Sequence, residues 1–331
     1  GHQQLASWQR VVVRLAARIR VGRLAIVFPG SSRIGIDSGE RPHLYAEIEI
    51  RRSRALRRLL LGGSVSFAEA YIAGDWDSPD LAALIELAAH NEASFGDGAV
   101  GLSLSRFMNR CRHRLRENTL TGSRRNISAH YDLGNEFYAQ WLDRSMTYSS
   151  ALFRLPGEPL RAAQEAKYDR MATLLELQRD QNVLEIGCGW GGFAERVAAH
   201  PGCRVTGLTL SRPQADFARA RIDAAGLGER VSIRLEDYRE VRGQFDRIAS
   251  IEMFEAVGEA YWPAFFSVLR DRLVAGGVAA LQVITIDEAR FAGYRTCTDF
   301  IQHYVFPGGM LPTVSALSRE ITRAGLRLTD R

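Results

Sequence analysis

The 331-residue sequence predicts an α/β fold in which a doubly wound, mostly parallel sheet follows a small N-terminal α+β domain. The first observation is a change of pattern: from about residue 126, short apolar runs of strand length alternate with helix-length stretches. The second is that residues 5–100 combine one alternating strand with several helices and contain no catalytic motif. We therefore expect a domain at 1–100, a basic helix and linker at 101–125, and a second domain at 126–331.

Local patterns predict the individual elements in chain order. In the N-terminal domain they predict a helix at 8–20, a turn at 28–32, a strand at 44–50 and helices at 56–61 and 79–90. In the second domain they predict strands at 183–186, 204–208, 231–235, 247–251 and 278–286, with helices at 193–199 and 213–225. Doubly wound sheets bind ligands at the carboxyl ends of their strands, so the loops that follow these strands are candidates for chemistry.

Positive charge is concentrated in the N-terminal third of the chain. Residues 1–125 carry 19 arginines and 12 acidic residues, whereas the remainder carries a net charge of −2. Between Leu104 and Leu115, arginines alternate with apolar residues three or four positions apart, which predicts a basic amphipathic helix. Such a helix docks on its own protein or on an anionic bilayer, and the basic surface also suits nucleic acid. Codon bias explains an arginine preference equally well, but not this asymmetry.

Composition excludes several other classes of protein. The four cysteines are spaced neither as a zinc site nor as a disulfide framework, so we expect no metal. Apolar runs are far shorter than the roughly 20 residues that cross a bilayer, and the start lacks the pattern of a secretory signal. We therefore expect a cytoplasmic protein.

A glycine-rich loop follows the first strand of the second domain. Gly187, Gly189 and Gly192 match the dinucleotide pattern G-x-G-x-x-G, so the loop alone fits NAD as well as other nucleotides. A NAD site needs an acidic residue at the end of the next strand, but 207–211 contains none. Glu185, just before the loop, instead favours a sulfonium and an amino group. The loop and its surroundings therefore predict an S-adenosylmethionine site.

Several further segments resemble one family of enzymes. The segments, in order, are 126–138, 146–151, the glycine loop, 207–211, Phe254-Glu255-Ala256-Val257-Gly258 and Tyr304-Val305-Phe306-Pro307-Gly308-Gly309. Together they resemble cyclopropane-fatty-acyl-phospholipid synthases, which are S-adenosylmethionine-dependent lipid methyltransferases and include the mycolic acid cyclopropane synthases. The resemblance implies a class I methyltransferase fold for 126–331, with a C-terminus shorter than usual, and a lipid-binding role for the N-terminal domain.

The resemblance also assigns residues to the cofactor pocket. They are Tyr148, Ser149, Glu185, Gly187, Gly189, Gly191, Gly192, Thr209, Leu210, Gln214, Asp237 and Tyr238. Aromatic residues that would stabilise a carbocation on the acyl chain are Phe137, Tyr138, Trp141, Phe254 and Tyr304.

The catalytic residues implied by the resemblance are His130, Ser150, Glu255, Gln282 and Tyr304. In the family a bound bicarbonate is the general base, but Gln282 stands where a histidine helps to hold it, and a late tyrosine with the same role would follow residue 331. Glutamine donates a hydrogen bond to bicarbonate but does not titrate near neutral pH. The identity of the base is therefore open, and with it the product.

These observations predict methyl transfer to the cis double bond of an unsaturated phospholipid acyl chain, giving a cyclopropane. The alternatives are a methylene- or methyl-branched chain and, beyond catalysis, a lipid-binding protein with an inactive fold. A nucleic-acid methyltransferase is disfavoured because no Asn-Pro-Pro or Asp-Pro-Pro motif followed by an aromatic residue is present. We expect peripheral association with the anionic inner membrane, no nucleic acid partner, and a homodimer as one assembly.

Overall fold

The computed structural model describes residues 5–30, 32–95, 119, 122, 134–296 and 298–330. The chain forms two compact units, of which the first comprises 1–112 with 296–303 and the second 113–295 with 304–331. The predicted basic helix at 101–125 lies outside the described residues, apart from positions 119 and 122. Within the described residues, no helix combines the length and apolar character needed to cross a bilayer.

The first unit contains a four-stranded sheet and its covering helices. Its strands are β1 (Arg23–Val27), β2 (Arg33–Asp37), β3 (Tyr45–Ile50) and β4 (Trp76–Asp77), and its helices are Ser7–Ala16, Arg54–Ile72, Leu81–His90 and Glu92–Phe95. The sheet order is β2-β1-β3-β4, and only the β1–β3 pair is parallel. The predicted strand at 44–50 is confirmed as β3, whereas β1, β2 and β4 were not predicted.

The helix predicted at 56–61 is much longer than its apolar run. It extends over Arg54–Ile72 and is interrupted at Gly63, where φ is +69°. At the end of the next helix, the buried side chain of Asn91 ties two segments together. Its Oδ1 accepts from the N–H groups of Arg20 and Val21, at 2.8 and 3.0 Å, and its Nδ2 donates to Val21 and Leu87 carbonyls. Every hydrogen-bonding position of this amide is therefore satisfied inside an otherwise apolar core.

The second unit contains the predicted parallel sheet. Its strands are β5 (Asn182–Ile186), β6 (Arg204–Thr209), β7 (Val231–Leu235), β8 (Phe245–Ile251) and β9 (Leu273–Gln282). Its helices are Asn135–Ala139, Leu160–Leu174, Gly192–Ala199, Arg212–Ala224, Trp262–Arg272, Glu288–Tyr294 and Val314–Arg323. Short 3₁₀ turns lie at Phe254–Ala256 and Glu259–Tyr261, and a π-helical turn at Ile301–Val305.

The strand order is β7-β6-β5-β8-β9, with every pair parallel. Two apolar clusters, one around Phe193 and Val205 and the other around Phe254 and Phe265, bury the side chains of the sheet and its helices. The predicted doubly wound fold is thus confirmed. Because the order reverses beside β5, the crevice at the carboxyl ends of β5 and β8 is the expected ligand site.

Candidate active site

The glycine loop follows β5 and makes a tight strand-to-helix turn. Gly187 has a φ of +83°, and a Cβ at this position would lie 2.6 Å from Met253 Cγ, so only glycine fits. Gly191, directly before the helix Gly192–Ala199, has a φ of +82°. A Cβ on Gly191 would lie 3.0 Å from the Cβ of Ala218. By contrast, nothing lies within 4 Å of the Cβ position of Gly189.

A cavity of about 150 Å³ opens at this turn, at the carboxyl ends of the parallel strands. The lining residues are 146–149, 168, 185–190, 192, 208–210, 214, 236, 238, 251–253, 256 and 305–307. Ten of the twelve predicted cofactor residues are among them, namely Tyr148, Ser149, Glu185, Gly187, Gly189, Gly192, Thr209, Leu210, Gln214 and Tyr238. The structure therefore brings most of the predicted cofactor pocket together in one place.

Gly191 and Asp237 do not line this cavity. Asp237 is 1% exposed and is engaged by Arg239, whose Nε and Nη2 donate to Oδ1 and Oδ2 at 2.8 and 2.7 Å. The preceding carboxylate, Glu236, lines the cavity instead. Glu236 and Asp237 are both close to Arg239 in the sequence. The sequence therefore does not show which of these two acids the arginine binds.

The carboxyl of Glu185 is fully buried against the loop. Burial raises its pKa to about 8, opposed by the backbone N–H of Ala194 and the charge of Lys167. Among the described residues its Oε2 has no hydrogen-bond partner. Burial also lowers the pKa of Lys167 to about 8, and its Nζ donates to Ser149 Oγ at 2.5 Å. An unpaired buried carboxyl in a cavity wall is suited to a cationic ligand, which would supply its missing partner.

The end of β6 supplies a second polar wall. Thr209 Oγ1 donates to Gln214 Oε1 at 2.8 Å and accepts from the N–H of Ser211 at 3.1 Å. The side chain of Ser211 caps the helix Arg212–Ala224 by accepting from the N–H of Gln214. Together with the open space at Gly189 and the unpaired carboxyl of Glu185, this wall fits the polar and cationic groups of S-adenosylmethionine.

Aromatic rings also line the cavity. The ring of Tyr148 lies 5.2 Å from that of Trp141 and 5.5 Å from that of Tyr138, and it stacks with Phe306 at 6.5 Å. Trp190, in the glycine loop, packs on Tyr138 at 5.1 Å. Of these rings, Tyr148, Phe306 and Trp190 line the cavity. These faces would stabilise positive charge without reacting with it.

The aromatic residues that the sequence analysis predicted for the substrate pocket do not line the cavity. Phe254 is 1% exposed and packs among Trp262, Phe265 and Phe266, so it belongs to the core. Its assignment to the cavity wall was wrong, since a buried core ring and a wall ring have the same apolar pattern. Phe137 and Trp141 are 42% and 50% exposed and do not line the cavity, and Tyr138 is buried behind it.

A hydrogen-bonded carboxylate stands at the end of β8. Glu252 lines the cavity, and its Oε1 accepts from Ser150 N–H at 3.0 Å, Ser150 Oγ at 2.6 Å and Gln282 Nε2 at 2.8 Å. Gln282 Nε2 also lies 3.0 Å from Ser150 Oγ. The structure thus brings two predicted catalytic residues together, although they lie behind Glu252 and not in the cavity lining. Sequence reasoning missed Glu252, whose one signal is its position directly after a buried strand.

Glu255, the acid predicted to be catalytic, lies in the 3₁₀ turn Phe254–Ala256. One carboxylate oxygen accepts from the N–H of Ile284, and the other is buried and, among the described residues, has no hydrogen-bond partner. Burial raises its pKa to about 7, opposed mainly by that N–H. The side chain is not part of the cavity lining, although the neighbouring Ala256 is.

Two other predicted catalytic residues are not placed in the cavity. Tyr304 is 46% exposed and does not line it, whereas the adjacent stretch 305–307 does. His130 lies outside the described residues. In the part of the chain that the structure describes, no group of three His, Cys, Asp or Glu residues could hold a metal ion.

Comparisons with known proteins agree with this geometry. The sequence pattern of the mycolic acid cyclopropane synthetase family matches residues 118–331. Tuberculostearic acid methyltransferase UfaA1 of Mycobacterium tuberculosis is 38% identical over 93% of this chain and 73% of its own length. Cyclopropane-fatty-acyl-phospholipid synthase of Escherichia coli is 31% identical over 87% of this chain and 72% of its own length. A solved structure of mycolic acid cyclopropane synthase CmaA1 with SAH and CTAB has a TM-score of 0.58 at 32% identity, covering 62% and 76% of the two chains.

Proposed function

The chain belongs to the mycolic acid cyclopropane synthetase family, and we propose that it methylates a double-bond carbon in the unsaturated acyl chain of a phospholipid. It is an S-adenosylmethionine-dependent methyltransferase, and the cofactor supplies the methyl group on a sulfonium. The observation that carries the proposal is the composition of one cavity. It combines an unpaired buried carboxyl, Glu185, with aromatic faces and a second carboxylate, Glu252.

Each wall of the cavity has a role in this reaction. Glu185 and the end of β6 bind the cationic and polar parts of the cofactor beside the glycine loop. An isolated alkene is a weak nucleophile, so its approach requires a dry and well-oriented site. The rings of Tyr148, Trp190 and Phe306 supply an apolar surface for the acyl chain and face the positive charge that methylation leaves on it.

The same cation leads to two products. Loss of a proton from the added methyl group closes a cyclopropane, the product predicted from the sequence. A hydride shift before proton loss gives a methylene-branched chain. We favour the branched product, because of the two reported relatives that span both units, the one with 38% identity is named a tuberculostearic acid methyltransferase, whereas the cyclopropane synthase has 31% identity.

The first unit supports a lipid substrate on independent grounds. It encloses a second cavity of about 200 Å³ with an almost entirely apolar wall that includes Val12, Leu15, Ile19, Leu24 and Leu56. An apolar cavity of this kind accepts a hydrocarbon chain and no charged ligand. With the net charge of +7 on residues 1–125, this favours peripheral binding to an anionic membrane, where the substrate lies.

Purified protein tests the proposal when it is incubated with S-adenosylmethionine and vesicles of anionic phospholipid that carry monounsaturated chains. We expect each methylated chain to gain one carbon by mass spectrometry, and NMR of the extracted lipid separates a ring from an exocyclic methylene. Vesicles with saturated chains are the matched control and should remain unmodified. Unchanged monounsaturated chains would refute methylation of the lipid, and a cyclopropane would refute only the branched product.

A further inference from the structure

The side-chain carboxylate of Glu252 lies in the wall of the cavity in which the reaction would need a proton acceptor. Resting on the proposed lipid methylation, we propose that Glu252 is the catalytic residue that removes the proton from the methylated acyl cation. The family resemblance led us to expect an exchangeable bicarbonate for this step. Here a side chain of the protein would replace it, held in position by Ser150 and Gln282.

The backbone places Glu252 at the reacting end of the sheet. It directly follows β8, the strand beside β5 at the reversal of strand order, and its N–H donates to the Gln282 carbonyl at 2.8 Å. Its φ is +47°, a left-handed conformation that glycine adopts freely and a glutamate adopts only at a cost. Residues in such conformations cluster at functional sites, which is consistent with a function for this side chain in the cavity wall.

The hydrogen bonds leave one carboxylate oxygen available. All three donors, two from Ser150 and one from Gln282, bind Oε1 of Glu252. Among the described residues, no hydrogen bond or ion pair involves Oε2. Neither Ser150 nor an amide such as Gln282 titrates near neutral pH, so both orient the carboxylate without competing for the proton. The cluster is therefore arranged as an anchored base with one free oxygen.

The other carboxyls near the cavity are less suited to this step. Glu255 lies outside the lining, with one oxygen bound by the N–H of Ile284 and the other buried. Glu185 is buried behind the glycine loop on the cofactor side. Glu236 follows β7, at the far edge of the sheet from β8. Of these four acids, Glu252 alone both lines the cavity and lies near the aromatic residue Tyr148. Burial raises the pKa of Tyr148, and the charge of Glu252 raises it further.

The step balances in atoms and electrons. Methylation would use the π electron pair of the alkene to form a carbon–carbon bond, the cofactor would leave as a neutral thioether, and its positive charge would pass to the acyl chain. Oε2 of Glu252 then accepts a proton from the added methyl group. The C–H electron pair becomes the new bond, either the third side of a cyclopropane or, after a hydride shift, the double bond of an exocyclic methylene. The neutral carboxyl returns its proton to water after product release.

Two substitutions of Glu252 test the assignment against a matched control. Glu252→Gln keeps the shape but removes the base, and we expect it to lower lipid methylation about 100-fold or more. Glu252→Gly also removes the strained conformation and leaves space beside Ser150 and Gln282, so added bicarbonate should restore activity to it. Glu176, an exposed glutamate with a φ of +49°, provides the control: Glu176→Gly should be fully active and insensitive to bicarbonate.

Readouts beyond turnover separate a role in proton transfer from a structural one. Calorimetric binding of S-adenosylmethionine should be unchanged in both Glu252 variants, and Glu252→Gly should melt at the same or a higher temperature than the wild type. If Glu252→Gln were fully active on lipid that the wild type methylates, the assignment of Glu252 as the base would be wrong, but the proposed function would stand. Wild-type dependence on added bicarbonate would also overturn the assignment. Lack of wild-type methylation would overturn the proposed function and this assignment together, so the two failures are distinguishable.

Discussion

Replacing Glu185 with glutamine should stabilise the ligand-free protein at neutral and alkaline pH. The side chain is 3% exposed, and burial raises its pKa from 4.5 to about 8. Between these two values the carboxyl is ionised in the unfolded chain and protonated in the folded one. Folding must therefore take up a proton in this range, which costs stability as the pH rises. Glutamine keeps an oxygen for the N–H of Ala194 but does not titrate.

The magnitude follows from linkage between protonation and folding. Because the pKa of Glu185 is higher in the folded chain than in the unfolded one, its protonation stabilises the fold. This contribution is complete below about pH 4.5 and is lost as the pH rises through about 8. At about 1.4 kcal/mol per pH unit, with the slope falling off as the folded carboxyl ionises near pH 8, the change from pH 5 to pH 8 lowers the free energy of unfolding by about 3.5 kcal/mol through this one carboxyl. The Glu185→Gln variant lacks this loss.

Urea unfolding of the wild type and Glu185→Gln at pH 5 and pH 8 measures the effect. The difference between the two proteins reports Glu185 together with its interaction with Lys167, because the charge of each group shifts the pKa of the other. The exposed Glu176→Gln provides a control whose difference from the wild type should not change with pH. A stability difference for Glu185→Gln that is equal at pH 5 and pH 8 would refute the buried, protonated carboxyl.

Substitutions at Gly187, Asn91 and Tyr148 test the cavity and the first unit, and Gly157 provides a control. Gly187→Ala should lower the free energy of unfolding by about 2 kcal/mol or more and abolish S-adenosylmethionine binding, because its Cβ would lie 2.6 Å from Met253 Cγ at a φ of +83°. Gly157 has a φ of +79° and open space around its Cβ position. Gly157→Ala should therefore lower the melting temperature but leave S-adenosylmethionine binding, measured by calorimetry, unchanged. Asn91→Ala leaves the partly buried N–H groups of Arg20 and Val21 without their acceptor and should cost about 2 kcal/mol in urea unfolding, with unchanged cofactor affinity. Tyr148→Phe keeps the ring and should retain methylation, whereas Tyr148→Leu should lower it about 10-fold through the lost cation–π contact; equal rates would contradict that role.

Local signals were sufficient for the sheet and the cofactor. The alternation of short apolar runs with helical stretches predicted every strand of the second unit, because a central strand such as β5 reads as a continuous apolar segment and the edge strand β7 alternates buried and exposed residues. The glycine loop with Glu185, and the missing acid after β6, distinguish an S-adenosylmethionine site from a NAD site by residue type and spacing alone. Backbone sterics and charge at neighbouring positions determine these features, and both are visible in sequence.

Roles that depend on distant partners were decided only by the tertiary structure. Phe254 packs against Phe265 in the core, although it occurs in a segment that resembles the family's site. The sequence by itself determined the fold and the cofactor, and it showed Gln282 where the family resemblance leads us to expect a histidine. It did not identify Glu252, whose hydrogen bonds to Ser150 span 102 positions in the chain. A hydrogen bond requires approach within about 3 Å, and only the folded sheet brings these strand ends that close.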